Sequence, residues 1–166
     1  MGMLANYMMI DEEKLDRLMG LDSAELLEEI EELDESGAEV YDMDKLWDGL
    51  HFLLTGASAS EPIEGNKLSE AIVGIHLFNE DSEDFIACIE FEELPGIISE
   101  MEKVDIEDLL QNIYFSSFKK KNIYPDIWIE KNNEQLKNEL KNEFFNLLSF
   151  YKKAITNKMH IVVSIY

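Results

Sequence analysis

Met159-His-Ile-Val-Val-Ser-Ile165, at the end of the chain, is a β-branched run of the kind that fills a central strand. Its counterpart near the beginning, Met3-Leu-Ala-Asn-Tyr-Met-Met-Ile10, is short and apolar on both faces, which reads as a buried strand. Phe85-Ile-Ala-Cys-Ile-Glu-Phe91 repeats that pattern through most of its length. Strands that are apolar on both faces need cover on each side, and the sequence between them supplies one-sided helices. The expectation is a single α/β domain over residues 1–166, built as a three-layer α/β/α sandwich. The elements do not alternate as a regular βαβ series, so the sheet is expected to be mixed. Placing the first and last strands at its centre would lock both chain ends into the core.

Working inward from the first strand, Asp11 caps a helix through about Met19, and Gly20 stops it. Asp22 opens a second, with Glu25 completing a capping box. That helix buries Leu26, Leu27, Ile30 and Leu33, displays Glu28, Glu29, Glu31, Glu32 and Glu35, and ends at Gly37. A third helix is expected over Asp44–Thr55, a short one near Ser69–Val73, and two more at Leu94–Lys103 and Ile106–Gln111. Asn79–Asp84 reads as a polar turn, and Tyr124-Pro125 breaks the helical pattern. The longest helix spans Asn133–Thr156, with Leu136, Leu140, Phe144, Leu147, Tyr151 and Ile155 at helical spacing.

Apolar residues make up 46% of the chain and aromatics 10%, enough for a buried interior despite a formal net charge of −22. Charge is divided unevenly. Residues 1–118 carry 31 acidic and 5 basic side chains, whereas residues 119–166 carry 9 basic and 5 acidic. Opposite signs should draw the C-terminal segment onto the rest. The overall field repels nucleic acid, and Lys119-Lys120-Lys121 is the only basic run, with the single arginine, Arg17, far from it. No stretch of about 18 apolar residues exists to span a membrane. One cysteine, Cys88, and no visible secretory signal suit a reducing cytoplasm.

The densest chemistry lies on the third helix, within Asp42-Met-Asp-Lys-Leu-Trp-Asp-Gly-Leu-His-Phe-Leu-Leu-Thr-Gly56. At about 100° per residue, Leu46, Trp47, Leu50, Leu53 and Leu54 share one arc, with His51 at its edge beside Trp47, Asp48 and Thr55. An imidazole between an indole and carboxylates suits a proton shuttle or a rim histidine of the core. Tyr124 and Trp128 can add aromatic surface, so the candidate pocket comprises Trp47, Asp48, His51, Thr55, Tyr124 and Trp128. Cys88 sits among apolar neighbours and reads as a small hydrophobe. His76 and His160 lie in strands without zinc-type spacing, and no calcium loop, phosphate-cradling glycine motif or nucleophile elbow is present. No cofactor or metal is expected.

Four segments together resemble the YfbM-like family of small bacterial cytoplasmic proteins of unknown function. They are Met1-Gly2-Met3, Asp44-Lys-Leu-Trp-Asp-Gly-Leu-His-Phe-Leu-Leu-Thr-Gly56, Leu68-Ser-Glu-Ala-Ile-Val-Gly74 and Ile123-Tyr-Pro-Asp-Ile-Trp128. The resemblance runs over nearly the whole chain and implies one α/β domain in three layers. It brings no reaction, substrate or catalytic residue. Two readings of function follow from the residues themselves. One is an acidic module that binds a basic protein partner; the other is a small-molecule binder or enzyme at the rim of the His51 helix.

Overall fold

A computed structural model describes residues 2–80 and 84–166. Five strands are present among them: β1 (Ala5–Ile10), β2 (Val40–Asp44), β3 (His76–Leu77), β4 (Phe85–Ile89) and β5 (His160–Ile165). They form one sheet in the order β2-β1-β5-β4-β3. The C-terminal strand is central, and β1 lies beside it in the register Tyr7↔Val163 and Met8↔Val162. Every pairing is antiparallel, so the expected mixed sheet is corrected. The reason is topological. β1 and β4 do run the same way, but β5 inserts between them and opposes both.

Helices α1 (Glu12–Met19) and α2 (Ser23–Glu35) follow β1 directly. Asp11 caps α1 by accepting from the Lys14 amide at 2.9 Å, and Asp22 and Glu25 form the capping box of α2. Residues of alternate strand positions, Met8, Ile10, Ile86, Cys88 and Val162, pack with Leu15, Leu18, Leu26, Ile30 and Leu33 of these two helices. The intervening positions, Tyr7, Met9, Ile161, Val163 and Ile165, join a larger apolar group on the other face.

That larger group is built from α3 (Trp47–Thr55), α4 (Lys67–Val73), α5 (Leu94–Glu102), α6 (Ile106–Gln111), α7 (Phe115–Lys120) and α8 (Asn133–Thr156). Helix α8 has the bounds its apolar spacing predicts. The third helix is shorter than expected, because Asp42–Asp44 belong to edge strand β2 and Asp44 turns the chain at φ 61°. Lys119 and Lys120 close a short helix, α7. The polar turn expected at Asn79–Asp84 falls in part on Asp81–Glu83, outside the described residues. Among the described residues no helix is long and apolar enough to cross a membrane.

Exposed ion pairs join α8 to acidic residues of the preceding segments. Lys141 pairs with Glu107 of α6, Lys152 with Glu102 of α5 at 3.3 Å, and Lys153 with Glu39 ahead of β2. Beneath these pairs the C-terminal carbonyls of α4 are satisfied from inside the core. The Tyr7 hydroxyl donates to Ile72 O at 2.7 Å and that of Tyr151 to Ala71 O at 2.5 Å. Burial raises the pKa of both phenols, so they stay protonated as donors.

Candidate functional site

Trp47-Asp-Gly-Leu-His51 places five residues in five different environments. Asp48 is buried, and its carboxylate accepts from the Ala59 amide at 2.7 Å, the Tyr124 amide at 2.9 Å and the Ser58 hydroxyl at 3.0 Å. It therefore fastens the loop after α3 and the segment before Pro125 to the first turn of the helix. Gly49 lies against Trp128. A Cβ there would stand 2.3 Å from the indole ring, so only glycine admits the contact. Leu50 points into the core.

His51 has no exposed surface, and both ring nitrogens are occupied. Nδ1 faces the Ala57 carbonyl at 2.7 Å, so it carries the proton and donates. Nε2 faces Ser69 Oγ at 2.7 Å, while that same hydroxyl oxygen accepts from the Ile63 amide at 3.0 Å. In the neutral Nδ1–H ring Nε2 accepts from the Ser69 hydroxyl, which in turn accepts from Ile63. Burial lowers the His51 pKa, against opposing effects of the Ala57 carbonyl and Asp48, which agrees with a neutral ring. Thr55 closes the arrangement by donating to the His51 carbonyl at 2.8 Å. In this geometry His51 joins α3 to the 57–63 loop and to α4; neither nitrogen is open to a ligand.

Trp47 and Tyr124 stack with ring centroids 5.5 Å apart. The backbone of Met3 bridges them: its amide donates to Tyr124 Oη at 2.7 Å and its carbonyl accepts from Trp47 Nε1 at 3.0 Å. Gly2 is needed for this threading, since a Cβ would lie 2.6 Å from the tyrosine oxygen. With their polar tips engaged, the two rings present apolar surface to a cavity of about 330 Å³. Met3, Trp47, Asp48, Ser60, Asn122 and Tyr124 line one part of it, and Val73, Phe85 and Ile165 another.

Three of the six sequence-derived candidates, Trp47, Asp48 and Tyr124, thus border one cavity. His51, Thr55 and Trp128 do not line it. Trp128 is buried against Phe115 and Phe118, with its Nε1 donating to the Ile123 carbonyl at 2.9 Å. Met3, Ser58, Ser60 and Asn122 were not expected at the site. They come from the segment before β1, the loop after α3 and the turn after α7, and carry no pattern of their own.

Two further histidines have defined partners. His160 is buried, accepting at Nδ1 from the Phe91 amide at 2.8 Å and donating from Nε2 to Glu12 at 2.6 Å. His76 is exposed and meets both carboxylate oxygens of Glu93 at 2.9 and 3.0 Å, with Glu90 nearby. Among the described residues, His76, Glu90 and Glu93 are the group whose ligand atoms lie close enough to share a metal ion, all within 4.8 Å of one another. The Cys88 thiol is buried and pushed up to about 12, which leaves it protonated and unreactive at neutral pH.

Residues 1–164 match the family model described as a domain of unknown function, DUF1877. The chain belongs to the DUF1877 family. This DUF1877 domain is 30% identical to protein YfbM of Escherichia coli strain K12 over 166 residues, covering 99% of each chain. It is also similar to the crystal structure of YfbM from Escherichia coli, titled a protein of unknown function. The TM-score is 0.83 at 28% identity, over 98% of this chain and 99% of that one. The family resemblance read from the sequence is thereby established, and so is the α/β class.

Proposed function

We propose that this domain binds a small, largely apolar or aromatic molecule in the Trp47–Tyr124 cavity. One observation carries the reading: the four segments on which the family resemblance rests converge around this cavity. Gly2-Met3 threads the aromatic pair, α3 supplies Trp47 and Asp48, Val73 comes from α4, and Tyr124 comes from the fourth segment. Stacked ring faces with a few polar groups at the margin are the usual wall of a small-ligand site, and about 330 Å³ falls at the lower end of such sites. Asp48 has no cationic partner among its hydrogen bonds, so an anionic ligand is disfavoured and a neutral or cationic one suits. His51, Thr55 and Trp128 then serve as the supporting wall.

Screening a library of small aromatic amines and heterocycles by protein-observed NMR tests the reading. Shifts are expected at Trp47 and Tyr124, and Ser60→Trp, which fills the mouth from an exposed position, should abolish them without lowering the melting temperature. Binding that persists in the plugged variant places the ligand elsewhere and removes the proposal.

A second reading, an acidic module for a basic protein partner, is favoured by the outer face of α1 and α2. Glu13, Asp16, Glu28, Glu31, Glu32, Asp34 and Glu35 are exposed there, and the two bases of that region are already engaged, Lys14 with Asp11 at 4.0 Å and Arg17 with Glu29. Recovery of partners from low-salt but not moderate-salt pull-downs would support it. The three-layer arrangement belongs to the same proposal, supported by the apolar groups on both faces of the sheet. A cytoplasmic setting is supported by the single buried thiol.

A further inference from the structure

We propose that His76, Glu90 and Glu93 bind one divalent transition-metal ion of the zinc type. The site is independent of the Trp47–Tyr124 cavity and uses residues that the sequence reading left without a role. The hairpin of β3 and β4 creates it. His76 pairs with Cys88, so the chain leaving β4 carries Glu90 and Glu93 back past the imidazole.

The two carboxylates are preorganised. They sit at either end of one 3-10 turn, Phe91–Glu93, as a reciprocal capping box, and the Glu90 amide donates to Glu93 Oε1 at 2.9 Å. His76 Nε2 stands 2.9–3.0 Å from both oxygens of Glu93, so the donor atoms of the two groups already converge, and an ion bound by both would replace the hydrogen bond between them. Zinc–nitrogen and zinc–oxygen bonds of about 2.0–2.2 Å hold ligands no more than about 4.4 Å apart. Ligand atoms within 4.8 Å of one another need only a small rotamer adjustment. Nε2 must offer its lone pair, so the proton it shares with Glu93 moves to Nδ1, or to solvent if the ring was charged. Two carboxylates neutralise the ion, and the −22 charge of the chain concentrates cations around it. Three protein ligands leave a coordination position for water. His76 also lines a cleft of about 600 Å³.

Calorimetric titration of the chelator-treated, full-length protein with zinc chloride tests the site. One ion per chain is expected. His76→Ala and Glu93→Gln should each weaken binding by at least about 10–100-fold, since even outer-shell losses cost that much. Glu92→Gln, on the same turn but outside the cluster, should stay within about twofold of the parent, and Ser60→Trp should have no effect. His76 is exposed, so its replacement leaves the fold intact, and a melting curve without zinc verifies this. Several weak sites per chain, or equal weakening by Glu92→Gln and Glu93→Gln, would reduce the cluster to a simple ion pair and overturn the proposal.

Discussion

On one side of the sheet α1 and α2 rest through Leu15, Leu18, Leu26, Ile30 and Leu33, with an outer surface given over to carboxylates. The larger apolar group, to which α3–α8 contribute, combines aromatic rings with buried polar fasteners: Asp48, His51, Tyr151 and, from β1, Tyr7. Basic residues of α8 are spent on pairs with Glu39, Glu102 and Glu107. The first side is held mainly by non-directional burial, assisted by His160–Glu12 and Asn79–Ser23. The second is held by burial together with hydrogen bonds that leave one arrangement of its loops. The Trp47–Tyr124 cavity lies among these fasteners, with Asp48 in its lining.

The largest expected effect is truncation within the larger apolar group. Phe144→Ala should lower unfolding free energy by about 3–5 kcal/mol and Leu26→Ala, in the smaller group, by about 2–5 kcal/mol, both read from urea denaturation. A loss under about 1 kcal/mol at either position would mean that its group is not close-packed there. Gly49→Ala follows, at about 1–3 kcal/mol, because the added methyl must displace Trp128 from a packed aromatic group. Asp48→Ala should cost about 3 kcal/mol by stranding the amides of Ala59 and Tyr124, and should loosen the 57–60 loop in hydrogen exchange.

His51 adds a dependence on pH. Its folded pKa lies below the ordinary imidazole value of about 6.5, so the unfolded chain binds a proton that the folded chain does not. Stability contributed by the neutral ring is complete above about pH 6.5 and declines as pH falls toward the folded value. Glu143, raised by burial and by the neighbouring Asp42 against the opposing hydrogen bond from Tyr41, acts in the opposite sense above the ordinary carboxylate range. The difference between the parent and His51→Gln over pH 5–8 isolates the histidine. A flat difference would mean that the Ser69–His51–Ala57 chain does not set the ring's charge. Smallest are the surface charges. Lys153→Ala should cost under about 1 kcal/mol, and added sodium chloride should raise the melting temperature by relieving repulsion on the α1–α2 face.

Much of this was legible locally. The caps at Asp11 and Asp22, the bounds of α8 and the buried character of β1 and β5 follow from neighbours in sequence. β2 was not legible, because Val40-Tyr-Asp-Met-Asp44 is an edge strand whose acids face outward and whose apolar residues are too few to show a period. At the site, helical spacing correctly grouped Trp47, Asp48 and His51 on α3, but spacing alone does not distinguish a ring that faces a cavity from one sealed by Ser69 and Ala57.

Short-range physics therefore determined the elements themselves, their caps, the two-faced burial of the first and last strands and the uneven charge. Which strands became neighbours was a tertiary decision. So was the descent of β5 between β1 and β4, the use of Asp48 as a fastener rather than a reactive carboxylate, and the meeting of His76 with Glu90 and Glu93. Each of these joins residues from separate segments, and a pattern read along one segment has no means of recording a distance to another.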